Sequence, residues 1–193
     1  SNPPPAGINA DRNVRNGDAQ FAARWTGEAI VARDTFEQSG GTDGTDYVTI
    51  AQFYQRSGLI GVSLADSGIE TVADYRGKSV GFWDCCSAEV AAAMRAESIA
   101  EDEGDYRPMG FVATPVITGE FDVVSAMTYN EYAQLLETRK EGTDTLYQRE
   151  DFNTISYETS MLQDGLVVSK SWLEASPANY DITLRFVKAT LLG

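Results

Sequence analysis

Residues 74–81, Asp-Tyr-Arg-Gly-Lys-Ser-Val-Gly, lie at the centre of the pattern that decides the fold class. The segment 72–75 predicts a short turn of helix that ends at Gly77, because glycine readily adopts the backbone conformation that closes a helix. The apolar run 79–82 is typical of a buried strand. The alanine-rich segment 89–99 then predicts a helix. The local unit is therefore a strand followed closely by a helix.

The same alternation extends in both directions along the chain. Helices are predicted at 9–15, 26–38, 129–138, 170–175 and 178–192. Strands are predicted at 19–22, 47–54, 59–64, 111–116, 121–127 and 165–169. Strands that alternate with helices at this spacing predict α/β layers built on a mostly parallel sheet.

The chain is predicted to form two lobes joined by a hinge. The segment 67–71, Ser-Gly-Ile-Glu-Thr, is small and polar and precedes a new strand–helix unit. A hinge needs a few residues that can absorb backbone rotation, and this segment has that character. The boundary is therefore placed there, with lobe I comprising 1–70 and 165–193 and lobe II comprising 71–164.

Composition excludes several classes of function. The net charge of −14 would repel a phosphate backbone, so nucleic acid is not an expected partner. The chain contains no histidine, which excludes histidine-dependent triads and histidine-ligated metal sites. Its two cysteines, Cys85 and Cys86, are adjacent, so they are poorly placed to form a disulfide or to bind a metal. No cofactor or metal is expected.

Three stretches together resemble a known family. Residues 74–81 carry the pattern Asp-x-x-Gly-Lys-x-Val-Gly, residues 127–132 read Met-Thr-Tyr-Asn-Glu-Tyr, and residues 163–168 read Gln-Asp-Gly-Leu-Val-Val. This combination resembles the solute-binding components of ABC transporters, in the branch called NMT1/THI5-like. The resemblance spans about residues 9–193. It implies the type II periplasmic-binding-protein-like fold, in which three-layer α/β/α lobes are joined by a hinge.

The resemblance also implies a function and a location. Proteins of this branch close two lobes around a small heterocyclic ligand, such as a pyrimidine or a flavin, and perform no chemistry on it. The chain is accordingly expected to be a monomer that docks on a membrane permease, in the periplasm or as an extracellular lipoprotein of a bacterium. Family members normally begin with a strand–helix–strand unit that is absent here, and they continue beyond Gly193. We therefore expect an incomplete lobe I.

Candidate ligand-binding residues lie where the predicted strands end, which is where open α/β sheets bind their ligands. A planar heterocycle needs flat faces to stack on, carboxylates that accept from its amines, and amides or hydroxyls that bind its carbonyls and ring nitrogens. The residues that offer these groups are Trp25, Glu28, Gln52, Trp83, Asp84, Tyr129, Asn130, Glu131 and Asp164.

Alternatives remain open at this stage. Trp25 and Trp83 can be packing residues, and Asp84 or Asn130 can cap a helix. Two other functions are also compatible with the resemblance: an enzyme like the pyrimidine-precursor synthases, and a ligand-sensing regulatory module. The enzyme interpretation is disfavoured, because those relatives use an active-site histidine and a cysteine-rich motif that this sequence lacks at the corresponding place.

Overall fold

The computed structural model describes residues 10–83, 87–100 and 102–193. Within these ranges the chain divides into two compact units, one formed by residues up to 56 together with 161–193, the other by 57–160. Mixed α/β architecture is present in both. No described helix combines the length and the apolar character needed to cross a bilayer.

The first unit is built on a three-stranded antiparallel sheet with the order β1-β8-β2. Its strands are β1 (Phe21–Arg24), β2 (Tyr47–Gln52) and β8 (Gly165–Ser169). Its helices are α1 (Ala10–Asn16), α2 (Thr26–Gln38), α5 (Lys170–Glu174) and α6 (Pro177–Leu192).

Helices cover both faces of this sheet. On one face, Ala29 and Ala32 of α2 and Val14 of α1 pack with Tyr47 and Val167 in a small core. The small alanine side chains let α2 approach the sheet closely. On the other face, the ring of Phe21 stacks on that of Phe186 in α6, with centroids 4.2 Å apart, and meets Trp172 in an edge contact.

The second unit is built on a five-stranded mixed sheet with the order β5-β4-β6-β3-β7. Its strands are β3 (Leu59–Leu64), β4 (Ser79–Phe82), β5 (Asp105–Pro108), β6 (Val123–Met127) and β7 (Phe152–Ser156). Its helices are α3 (Ser87–Ala96) and α4 (Glu131–Leu136). Strand β4 is parallel to both of its neighbours, whereas β3 is antiparallel to both of its own.

The buried strands of the second unit have apolar side chains on both faces. All five residues of β6 are buried, as are five of the six in β3. One face packs against α4 and the short 3₁₀ turn Thr114–Val116, through a core that includes Val62, Val124 and Leu135. Residues Phe82 of β4 and Val90 of α3 lie together on the opposite face. Helices on both faces give the predicted three-layer arrangement.

The structure corrects three predictions about strands. The segment 111–116 is not a strand, and the edge strand β5 lies instead at 105–108, where no strand was predicted. Strand β7 was also missed. Both β5 and β7 are edge strands that pair on one side only, so their sequences need not be continuously apolar. The prediction of mostly parallel sheets is wrong for the first unit, where every pair is antiparallel.

The segment 67–71, where the sequence places the lobe boundary, lies inside the second unit. Ile69 in this segment is only 1% exposed. Its carbonyl oxygen accepts hydrogen bonds from the Ser63 hydroxyl, at 2.7 Å, and from the Asn153 amide, at 3.0 Å. Because β3 pairs with β6 and β7, residues 57–70 group with the second unit, and the chain passes between units at 56–57 and 160–161.

Candidate functional site

Four of the predicted ligand-binding residues meet at one edge of the sheet in the first unit. Because β8 runs antiparallel to both β1 and β2, its beginning lies beside the ends of those two strands. In the observed register, Arg24 and Gln52 both pair with Gly165. Trp25 and Asp164 adjoin these paired positions, so the edge gathers residues from three separate parts of the sequence.

Trp25 lies at the start of α2, where the chain turns from strand to helix. Its backbone is extended and its carbonyl oxygen accepts from the Ala29 amide at 2.9 Å, while its half-buried side chain provides no cap. The next amide, that of Thr26, donates to the Leu162 carbonyl at 3.0 Å and ties the helix start to the segment that precedes β8. Asp164 in that segment has a positive φ of 53°, which is uncommon outside glycine.

Glu28, in the first turn of α2, belongs to a charged network at this edge. Its carboxylate pairs with Arg24 at 3.0 Å, and Arg24 pairs in turn with Asp11 at 3.1 Å. Burial raises the pKa of Glu28, and the negative charges of Asp11 and Asp164 act in the same direction, against the opposing effect of Arg24. Two carboxylates therefore share the Arg24 guanidinium, a third lies near Glu28, and this edge is electronegative.

Gln52 ends β2 and reaches across to the same edge. Its side-chain amide donates to the Gln163 carbonyl at 2.7 Å. A side chain at Gly165 would lie 2.9 Å from the Gln52 amide oxygen, so a glycine at this position lets the amide lie over the backbone of β8. Gln52 thus keeps its amide oxygen at the edge while its nitrogen is held by the protein.

In the second unit, three further candidates follow the end of β6. Tyr129 follows β6 and is 51% exposed. A side chain at Gly58, which precedes β3, would come 2.9 Å from the Tyr129 ring, so the phenol lies directly over that glycine. The ring is therefore positioned by the backbone and still presents a surface to solvent.

Asn130 and Glu131 are bound to each other and to the turn they form. The Asn130 amide nitrogen donates to one oxygen of Glu131 at 2.7 Å, and the Met127 amide donates to the other at 3.0 Å. Glu131 is only 3% exposed. The Asn130 amide oxygen accepts from Gln134, and Asn130 provides no side-chain cap for α4. In this structure Glu131 holds the strand-to-helix turn together.

Trp83 follows β4 and is buried, with 2% of its surface exposed. Its ring stacks on Phe111, with centroids 5.8 Å apart and planes inclined at 30°. Phe111 is 70% exposed and was not identified as a candidate from the sequence, where 111–116 had the apolar pattern of a strand. The predicted candidate Asp84 and the pair Cys85–Cys86 lie outside the described residues.

The described surfaces offer aromatic rings, amides and carboxylates. No group of three or more metal-ligating side chains occurs in the described part of the chain. Separately, a cavity of about 460 Å³ lies between α3 and the strands β4 and β5, lined mainly by apolar side chains such as Met94 and Ile99. None of the predicted ligand-binding residues lines it.

Solved structures show which fold this is. The periplasmic aliphatic sulphonate binding protein SsuA from Escherichia coli superimposes with a TM-score of 0.64 at 15% identity, over 90% of this chain and 55% of that one. The alkanesulfonate-binding protein SsuA from Xanthomonas axonopodis pv. citri, bound to MOPS, gives a TM-score of 0.55 at 11% identity, over 88% and 54%. The arginine-, lysine-, histidine-binding protein ArtJ from Geobacillus stearothermophilus gives a TM-score of 0.52 at 14% identity, over 93% and 68%.

The fold is thus that of the periplasmic binding proteins, as the sequence predicted. The chain belongs to the NMT1/THI5-like family, whose model matches residues 2–193. It spans about half the length of the two sulfonate-binding proteins, at 55% and 54%. No curated protein is detectably similar to this sequence.

Proposed function

We propose that this chain is the solute-binding component of an ABC importer and that it captures a small, planar, amine-bearing heterocycle without transforming it. The observation that carries the proposal is the edge of the first unit, where Trp25, Glu28, Gln52 and Asp164 converge from three parts of the sequence. An indole, an amide and carboxylates are the groups that stack on such a ring and bind its edges.

The charge of that edge favours an amine over a sulfonate. Glu28, Asp11 and Asp164 outnumber the single guanidinium of Arg24, so an anionic head group would be repelled. A partly buried carboxylate needs hydrogen-bond donors to replace the water that it has lost. An amine N–H group of a ligand placed beside Glu28 would donate such a bond. Sulfonates, which two of the structurally similar proteins bind, fit this edge poorly.

In the second unit, the exposed ring of Tyr129, with Asn130 beside it, offers a planar face and an amide, which are groups of the kind that this ligand class needs. The loaded protein, a monomer, docks on a membrane permease outside the cytoplasm. Family membership and the periplasmic-binding-protein fold support this assignment. The chain's limited coverage of those proteins makes ligand binding by this chain the step to test first.

The direct test is thermal unfolding with riboflavin, cytosine, thiamine, taurine and L-arginine added one at a time. A ligand that binds only the folded state at about 100 times its Kd adds about 2.7 kcal/mol, which raises Tm by roughly 5–10 °C for a chain of this size. We expect a shift with an amine-bearing ring compound. A shift with taurine alone would refute the ligand class, and the absence of any shift would count against binding by this chain.

A matched pair of variants tests the site itself. Glu28→Gln removes the buried carboxylate that pairs with Arg24, whereas Glu37→Gln changes an exposed carboxylate in the same helix, paired with Arg33 at the same i,i+4 spacing. We expect Glu28→Gln to weaken ligand binding about tenfold, the loss of one charge-assisted hydrogen bond, and Glu37→Gln to leave it unchanged. Equal Kd values for the two variants would exclude Glu28 from the site.

A further inference from the structure

The stacked rings of Trp83 and Phe111 differ greatly in their exposure to solvent. Trp83 is 2% exposed and Phe111 is 70% exposed, although their rings stack with centroids 5.8 Å apart. Phe111 therefore covers one side of the indole while most of its own surface faces solvent. Because the exposed Phe111 ring adds little to the core, its stacking on Trp83 can be replaced by stacking on another planar group.

The buried indole carries an unsatisfied donor. Its Nε1 atom is inaccessible to solvent and has no hydrogen-bond partner among the described residues. An indole N–H removed from water without a partner is unfavourable, because the hydrogen bond it made to water is lost and not replaced. An acceptor delivered by a ligand would restore that bond. The unpaired indole N–H therefore indicates that a ligand bound here would carry a hydrogen-bond acceptor.

The Trp83–Phe111 pair lies at the edge of the sheet where α/β proteins bind their ligands. Trp83 directly follows β4, and the loop after the parallel strand β5 is held beside it by a hydrogen bond from the Met109 amide to the Phe82 carbonyl, at 2.8 Å. That loop carries Phe111 and also Val112, which is 47% exposed. The pair thus lies at the carboxyl ends of parallel strands, where open α/β sheets bind ligands.

We propose that Phe111 and Trp83 are specificity-determining residues that select a planar heterocycle with a carbonyl oxygen or ring nitrogen at its edge. The ligand ring stacks on Phe111, which moves away from the indole, and the ligand acceptor takes the Nε1 hydrogen. This inference rests on the proposed function and refines it, since it demands a hydrogen-bond acceptor at the edge of the ring. A non-planar ligand could not stack on Phe111.

The first test needs no ligand. The indole ¹H–¹⁵N resonance of Trp83 is assigned by its absence from the spectrum of Trp83→Phe, and its hydrogen-exchange rate is compared between the wild type and Phe111→Ala. Because Phe111 is exposed, this variant is expected to fold. We expect the exchange of the indole hydrogen to be several times faster in Phe111→Ala. An unchanged rate would overturn the role of Phe111 as the cover of the indole.

The second test measures binding of riboflavin, cytosine, taurine and L-arginine by isothermal titration. We expect a ring compound to bind, with Kd raised about 2- to 12-fold by Phe111→Ala and by Trp83→Phe, the range for one aromatic pair or one hydrogen bond. Tyr180→Ala, which removes another exposed ring, in α6, should leave Kd within about twofold.

The outcomes separate this inference from the proposed function. If a ring compound binds equally well to the wild type, Phe111→Ala and Trp83→Phe, the inference fails and the binding function stands. If only taurine or L-arginine binds, the inference also fails while solute binding by this chain stands. If none of the four compounds binds, both are overturned.

Discussion

Gly61, in the middle of β3, leaves the space that two buried tyrosine hydroxyls occupy. A methyl group added there would collide with the hydroxyl oxygen of Tyr75 and lie 2.8 Å from that of Tyr157. These two hydroxyls are hydrogen-bonded to each other at 3.2 Å, and Tyr75 has no exposed surface. Burial raises the pKa of both hydroxyls, so each stays protonated at neutral pH and can donate. Gly61→Ala must therefore displace a closely packed ring.

The expected cost has two parts. Forcing an extra methyl group into a packed core costs about 1–3 kcal/mol. Separating the two buried hydroxyls adds a cost of similar size. Together they amount to roughly 2–6 kcal/mol, or a fall in Tm of roughly 4–24 °C for a chain of this length. Gly110→Ala is the matched control, because a methyl group there has no atom within 4 Å and its φ is not positive.

Urea unfolding monitored by circular dichroism measures the stability of both variants. A third variant tests whether the Tyr75 hydroxyl causes the loss of stability. Tyr75→Phe removes the oxygen atom that the new methyl group would meet. In a Tyr75→Phe background, Gly61→Ala should therefore cost about 1–3 kcal/mol less than it does alone. The reasoning is refuted if Gly61→Ala is no more damaging than Gly110→Ala, or if its cost is the same with and without the Tyr75 hydroxyl.

Two further predictions concern carboxylates in the second unit. Burial by itself would raise the pKa of Asp122, but the Ser79 amide and hydroxyl, each 2.8 Å away, bring it below the ordinary value. The stabilisation by the ionised Asp122 is thus complete above the unfolded pKa of about 3.9 and is lost as the pH falls through the folded pKa. The difference in stability between wild type and Asp122→Asn should therefore shrink from pH 7 to pH 2. A constant difference in urea unfolding would contradict this. Glu131→Ala should cost about 1–3 kcal/mol without any ligand, because the Met127 amide loses its buried acceptor, whereas the exposed Glu137→Ala should cost little. Equal Tm values for these two variants would show that Glu131 does not hold the turn.

How far a strand could be predicted depended on its position in the sheet. The predictions 59–64, 79–82 and 165–169 agree with β3, β4 and β8 residue for residue. Each of these strands has a neighbour on both sides. Such strands carry near-continuous apolar runs that a sequence reveals. The edge strands β5 and β7 lack that signal, because one side of each makes no strand pair.

The candidate site was predictable in part. Trp25, Glu28, Gln52 and Asp164 were chosen because they lie near predicted strand ends, and the structure brings them to one edge of a sheet. The sequence did not reveal Phe111, whose apolar neighbours resembled a strand. Nor did it reveal that both oxygens of Glu131 are bound by its own turn, because that depends on the backbone path after β6.

The sequence by itself determined the type and order of most elements, the absence of histidine chemistry and the family resemblance. These follow from side-chain periodicity and from motifs that span a few neighbouring residues. Only the tertiary structure decided which strands are neighbours, that the first unit's sheet is antiparallel, and which aromatic rings remain exposed. The physical reason is that strand pairing joins backbone groups that every residue carries, across more than a hundred positions in the case of β2 and β8. Local sequence therefore cannot specify the partner, which is selected by the packing of the whole unit.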